Sequence, residues 1–191
     1  MPTAFATRLA TLAEAEYNTY RGLHETTTKM SNRIRTYWTD LGWAFPGVST
    51  AWSAVFVSFL VKSAGAVAGE FDFSARHAKF VHTAIANANA GTGVFRAFSP
   101  SAYAPKIGDI IQNNRGNTFD FAYATNHDSY PSHSAIVVEE GVDGSGRYVR
   151  TVGGNEGDTV GDRVVRLTNA GLMKAPSAAP DYYISVIQTL K

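Results

Sequence analysis

A chain of 191 residues with 17 basic and 16 acidic side chains, a net charge of +1 and no cysteine has room for one domain with a sizeable core. It carries no basic run of the kind that tracks nucleic acid, so a nucleic-acid partner is not expected. The lack of cysteine removes a disulfide scaffold, a thiolate metal site and a thiol nucleophile. Apolar residues make up 45% and charged residues 17%, which describes a folded protein with a weakly charged surface. No basic segment followed by an apolar one opens the chain, so no signal peptide is expected. The longest apolar run, residues 54–61, is far too short to cross a bilayer, and membrane insertion is not expected.

Helical spacing dominates the first half. Phe5, Leu9, Leu12, Ala13 and Tyr17 predict a helix over 3–20, and Met30, Ile34, Tyr37, Trp38 and Leu41 predict another over 27–41, closed by Gly42. A third is expected from Ser53 to Ala64 with Gly65 as its stop, and a fourth over 75–89. After Gly91 the period changes. Strands are expected at 94–98, 109–112, 135–139, 148–152, 164–167 and 182–190, with a hairpin connection at 141–146. Helices first and strands afterwards predict an α+β domain, with helices packed on an antiparallel sheet over the whole of 1–191. One connection, 113–131, is unusually long and holds Phe119, Phe121, Tyr123, His127 and Tyr130. Loops beyond about 12–15 residues are commonly functional or disordered, and the aromatic content argues against simple disorder.

Two distant segments carry candidate chemistry. Ser53 follows Trp52 at the start of an apolar helix, and His133 heads an apolar strand. Serine is an ordinary helix cap, but Ser49 and Thr50 compete for that work, which would leave the Ser53 hydroxyl available. A hydroxyl needs a general base within hydrogen-bond reach and a third group to hold that base. His133 is the candidate base; a strand-end histidine satisfied by a neighbour is the ordinary explanation for it. Asn155, in Gly153-Gly154-Asn155-Glu156-Gly157, is the candidate orienting group, with Glu156 as its substitute; the same residues are also good turn chemistry. Asp109 in Gly108-Asp109-Ile110 reads as a structural carboxylate that caps backbone N–H groups.

These pieces resemble the papain-like NlpC/P60 and CHAP superfamily of peptidoglycan hydrolases. More closely, they resemble an uncharacterised branch with Trp-Ser-Ala in place of the usual Trp-Cys-Ala. The matching segments are Tyr37-Trp38, Ala51-Trp52-Ser53-Ala54, Phe73-Ser74-Ala75-Arg76-His77, Lys106-Ile107-Gly108-Asp109, His133 with its strand, and Gly153-Gly154-Asn155, covering roughly residues 30 to 165. The resemblance implies a papain-like fold and hydrolysis of amide bonds in cell-wall peptides. It assigns Ser53 as nucleophile, His133 as base and Asn155 as orienting group, with Trp52, His77 and His127 as substrate contacts. Ser53 is then either a native serine nucleophile or a position where a cysteine was replaced. His77 is equally an alternative base or a helix-surface histidine.

The partner implied is peptidoglycan or a muropeptide. Relatives that are phage lysins or toxins injected by type VI secretion imply delivery from the cytoplasm to the periplasm or outside, and an immunity protein. A catalytically inactive cell-wall or protein-binding module on the same fold is the alternative. No cofactor is expected. His77 and His82 are five apart and diverge by about 140° on a helix, so they cannot share a metal from one face, and Gly91-Thr92-Gly93 follows a helix, the wrong context for a nucleotide loop.

Overall fold

The computed structural model describes residues 1–175 and 182–191. Four helices come first: α1 (Ala4–Tyr20), α2 (Thr28–Asp40), α3 (Ser53–Ser63) and α4 (His77–Ala90). Six strands follow: β1 (Phe95–Phe98), β2 (Ile110–Asn114), β3 (Ser132–Asp143), β4 (Gly146–Gly154), β5 (Val160–Arg166) and β6 (Tyr183–Thr189). They form one antiparallel sheet in the order β1-β6-β2-β3-β4-β5. The molecule is α+β, as the change of period at Gly91 predicts.

The connection 113–131 departs from its reading as a loop. β2 runs on to Asn114, and a short helix, α5 (Phe121–Asn126), occupies the middle. Asp120 caps α5 by accepting the Tyr123 N–H at 2.8 Å. Six residues are too few for the periodicity that would have marked the helix.

Local chemistry explains the helix starts. The Thr3 and Thr27 hydroxyls accept N–H groups from Ala6 and Met30 at the heads of α1 and α2. α1 lies directly on Gly108, where a Cβ would stand 2.5 Å from the Ala6 backbone. Its φ of +85° also suits only glycine comfortably. Asp109 does the work expected of it, accepting the N–H groups of Lys106 and Thr189 at 2.9 Å each.

Strand alternation buries both faces of the sheet. Ile110, Ile136, Val152, Ile184 and Ile187 join the apolar residues of the helices, including Tyr37, Trp52, Phe56 and Leu60. Ile111, Val137, Val149, Val165 and Val186 form a second cluster with Leu167 and Met173. No helix among the described residues is long and apolar enough to cross a membrane.

Candidate functional site

Two helices begin at one place. Ser53 is the first residue of α3 and His77 the first residue of α4, and neither helix has a side-chain cap. The register between them is set on the next turn of α3. There the buried Ser58 hydroxyl donates to the Ser74 carbonyl at 2.9 Å and accepts the Ser74 N–H at 3.1 Å. Ser74 Oγ in turn accepts the Arg76 N–H at 3.0 Å. This brings His77 Nε2 to 2.7 Å from Ser53 Oγ. Both side chains are nearly enclosed, with Ser53 3% and His77 6% exposed.

His133 stands beside this pair. Its ring centroid is 5.5 Å from that of His77, and its Nε2 lies 3.0 Å from Glu156 Oε1. The sheet explains why. His133 pairs with Asn113 at the head of β3, and β4 ends at Gly154. The chain then turns through Asn155, whose φ is +58°, and the Glu156 N–H is tied to the Thr159 carbonyl at 3.0 Å. Asparagine tolerates the left-handed region better than most residues. The turn therefore takes Asn155, and the next side chain meets the imidazole.

Glycines make the space. A Cβ on Gly153 would stand 2.5 Å from Glu156 Oε1 and 2.9 Å from His133 Nε2, and one on Gly161 would stand 2.7 Å from the Glu156 Cβ. Gly154 lets β4 approach α3, since a Cβ there would strike Trp52 and Phe56. Burial alone would raise the Glu156 carboxyl. The hydrogen bond and charge of His133 and the Arg163 guanidinium, 2.6 Å away, outweigh it and hold Glu156 below the usual carboxylate range. His77 goes the other way for a base: burial, then repulsion by His133 and Arg115, keeps it well below the ordinary histidine range.

Several sequence assignments need correction. The Ser53 hydroxyl bonds to His77, not to His133. Asn155 does not face the imidazole; its amide donates to Glu25 Oε2 at 3.2 Å, and the acceptor for His133 is Glu156. Trp52 is fully buried and cannot touch a substrate from the core; its indole N–H donates to the same Glu25 oxygen at 2.9 Å. His77 is not a surface histidine. His127 is exposed at the end of α5, its ring stacked on Tyr123 at 3.9 Å, and its Nδ1 lies 2.9 Å from the Tyr123 carbonyl. None of these contacts joins it to Ser53, His77 or His133. Glu25 was not legible as a site residue, because the segment between α1 and α2 shows no pattern that ties it to a turn 130 positions later.

A cleft of about 180 Å³ opens on this site, lined by Asn113, Arg115, His133, Asn155, Glu156 and Arg163 among others. A hollow of about 210 Å³ shares Asn113, Glu156 and Arg163 with it and adds Ile111, Ala135 and Val165. Among the described residues no group of three His, Cys, Asp or Glu side chains could hold a metal ion. The arrangement can supply a hydroxyl at the positive end of a helix, an imidazole with a carboxylate behind it, and a second, neutral imidazole on the hydroxyl.

No curated protein and no solved structure matches the chain. A bacterial family described as "Uncharacterized protein conserved in bacteria (DUF2272)" matches residues 15–183, a span that holds Ser53, His77, His133 and Glu156. The chain belongs to that family.

Proposed function

We propose that this chain is a papain-like hydrolase that cleaves amide bonds in cell-wall peptides. The observation that carries the reading is the His133–Glu156 pair at 3.0 Å, its imidazole 5.5 Å from that of His77, which in turn hydrogen-bonds a serine at a helix head. A serine hydroxyl is too weak an acid for the helix dipole alone to ionise, so it requires a base whose cation is stabilised. Of the two histidines, only His133 has a carboxylate behind it among the described residues. Ser53 Oγ would attack the carbonyl carbon, and its proton would pass to the His133 nitrogen that faces away from Glu156. Collapse of the tetrahedral intermediate breaks the C–N bond as His133 returns the proton to the leaving amine. Water then hydrolyses the acyl-serine by the same route. Backbone N–H groups in the first turn of α3, which have no intrahelical acceptor, would receive the oxyanion. The choice of peptidoglycan as substrate, and delivery as an antibacterial effector with its own immunity protein, rest on the sequence resemblance.

The test is muropeptide release from purified sacculi by the chain, by Ser53→Cys, by Ser53→Ala and by His133→Ala. Release by the first two and loss of release in the last two are expected. If neither the chain nor Ser53→Cys cuts, hydrolysis is wrong. Ser53 being only 3% exposed favours one other reading, a binding module that keeps the cleft without the chemistry. Sacculus binding that survives His133→Ala, with no cleavage by any form, supports that module.

A further inference from the structure

We infer that His77 is a positioning residue that donates a hydrogen bond from Nε2–H to Ser53 Oγ, leaving the serine's own proton free to be given elsewhere. His77 Nε2 lies 2.7 Å from Ser53 Oγ, but the contact alone does not say which atom donates. The other ring nitrogen decides it. His77 Nδ1 is buried and meets no hydrogen-bond partner among the described residues. A neutral imidazole has one N–H. Placed on Nδ1, that N–H would be orphaned in the interior, and orphaned buried donors are the rarest kind of unmet polar group. Placed on Nε2, every N–H of the ring is satisfied and only a lone pair is left over.

The surroundings keep the ring neutral. It packs edge-on to Phe80, at 5.6 Å between centroids. The titratable or charged groups that face it are His133 from β3 and Arg115 beyond β2, and both oppose a positive charge on it. It also sits at the positive end of α4. His77 therefore does not serve as the acceptor of the serine proton, since the imidazolium would be enclosed with no carboxylate of its own among the described residues. As a donor it stabilises negative charge on the atom at position 53 and holds that side chain in one rotamer. The link from this to catalysis rests on the hydrolase reading; the hydrogen bond itself does not.

Nitrogen-15 correlation spectra of histidine-labelled protein test the assignment directly. His77 is expected in the Nε2–H tautomer, neutral through neutral pH; an Nδ1–H tautomer or an imidazolium overturns it. A second measurement uses Ser53→Cys, where the thiol pKa is read from thiolate absorbance. Adding His77→Ala should raise that pKa by about one unit, a tenfold loss of thiolate at neutral pH. Adding His77→Gln, which can place an N–H near the same point, should restore part of it. An unchanged thiol pKa in a folded His77→Ala form, or no recovery with glutamine, overturns the inference. Should His77→Ala fail to fold, the tautomer and the glutamine form still decide. Absence of muropeptide release with these results intact would sink the hydrolase reading and leave the donor role standing.

Discussion

His133 and Glu156 meet at 3.0 Å because Gly153, near the end of β4, has no side chain to keep them apart. The pair is almost fully enclosed, with side-chain exposures of 8% and 7%. Burial of that degree makes the carboxylate a strong partner for an imidazolium.

Substituting Gly153→Ala should separate the pair. The backbone there is not in the left-handed region, so alanine meets no conformational barrier, but its Cβ would stand 2.5 Å from Glu156 Oε1. The expected stability loss is about 1–3 kcal/mol for overpacking. The proposed hydrolysis should fall much further, by about 10²-fold or more, because His133 as its proposed base loses its orienting group. Glu156→Gln should reproduce the kinetic loss without the clash. Parallel thermal melts and turnover measurements check this; equal losses of stability and activity in both variants would refute it.

Asp109 should make stability depend on pH in an unusual direction. Burial raises its pKa to about 6, against the lowering effect of the Thr189 and Lys106 N–H groups and the Tyr103 hydroxyl. The folded state therefore binds this proton more tightly than the unfolded chain does. Its favourable contribution is present below the unfolded carboxylate range and is lost as pH rises toward 6. Asp109→Asn removes that titration but can offer only one acceptor oxygen to the two N–H groups. The variant should be the less stable form at pH 4, and the gap should narrow by about 2 kcal/mol by pH 7. Denaturant titrations at the two pH values decide it; a gap that widens with pH contradicts the assignment.

Glu16 ties α1 to α2 through a buried cluster. Its carboxylate accepts from Arg33 Nε at 3.1 Å and from the Tyr37 hydroxyl at 2.6 Å, with a further bond from the Arg33 guanidinium. The Arg33 guanidinium also lies over the Tyr37 and Phe59 rings. Glu16→Gln leaves that cation without its charge partner and should cost about 3 kcal/mol. Tyr37→Phe, which removes one neutral donor, should cost about 1 kcal/mol. Urea denaturation of the two variants provides the comparison; a Glu16→Gln cost below about 1 kcal/mol would mean that solvent screens the pair.

Much of the fold was readable from periodicity. The 3.6 and 2.0 repeats located α1 to α4 and all six strands, because each of those elements buries a face and must alternate accordingly. Ser53 and His133 were also readable as candidates, since a hydroxyl at an apolar helix head and an imidazole at a strand head are local patterns. Their partners were not. That Ser53 meets His77 depends on Ser58 holding the segment before α4, a contact between a hydroxyl and a backbone sixteen positions apart. That His133 meets Glu156 and not Asn155 depends on a single backbone rotation in the turn, φ +58° at Asn155, which swings one side chain toward Glu25 and the next toward the imidazole. Hydrophobic burial dictates secondary structure through patterns that a sequence displays. Hydrogen-bond partners across a site are chosen by angles and separations that exist only once the chain has folded.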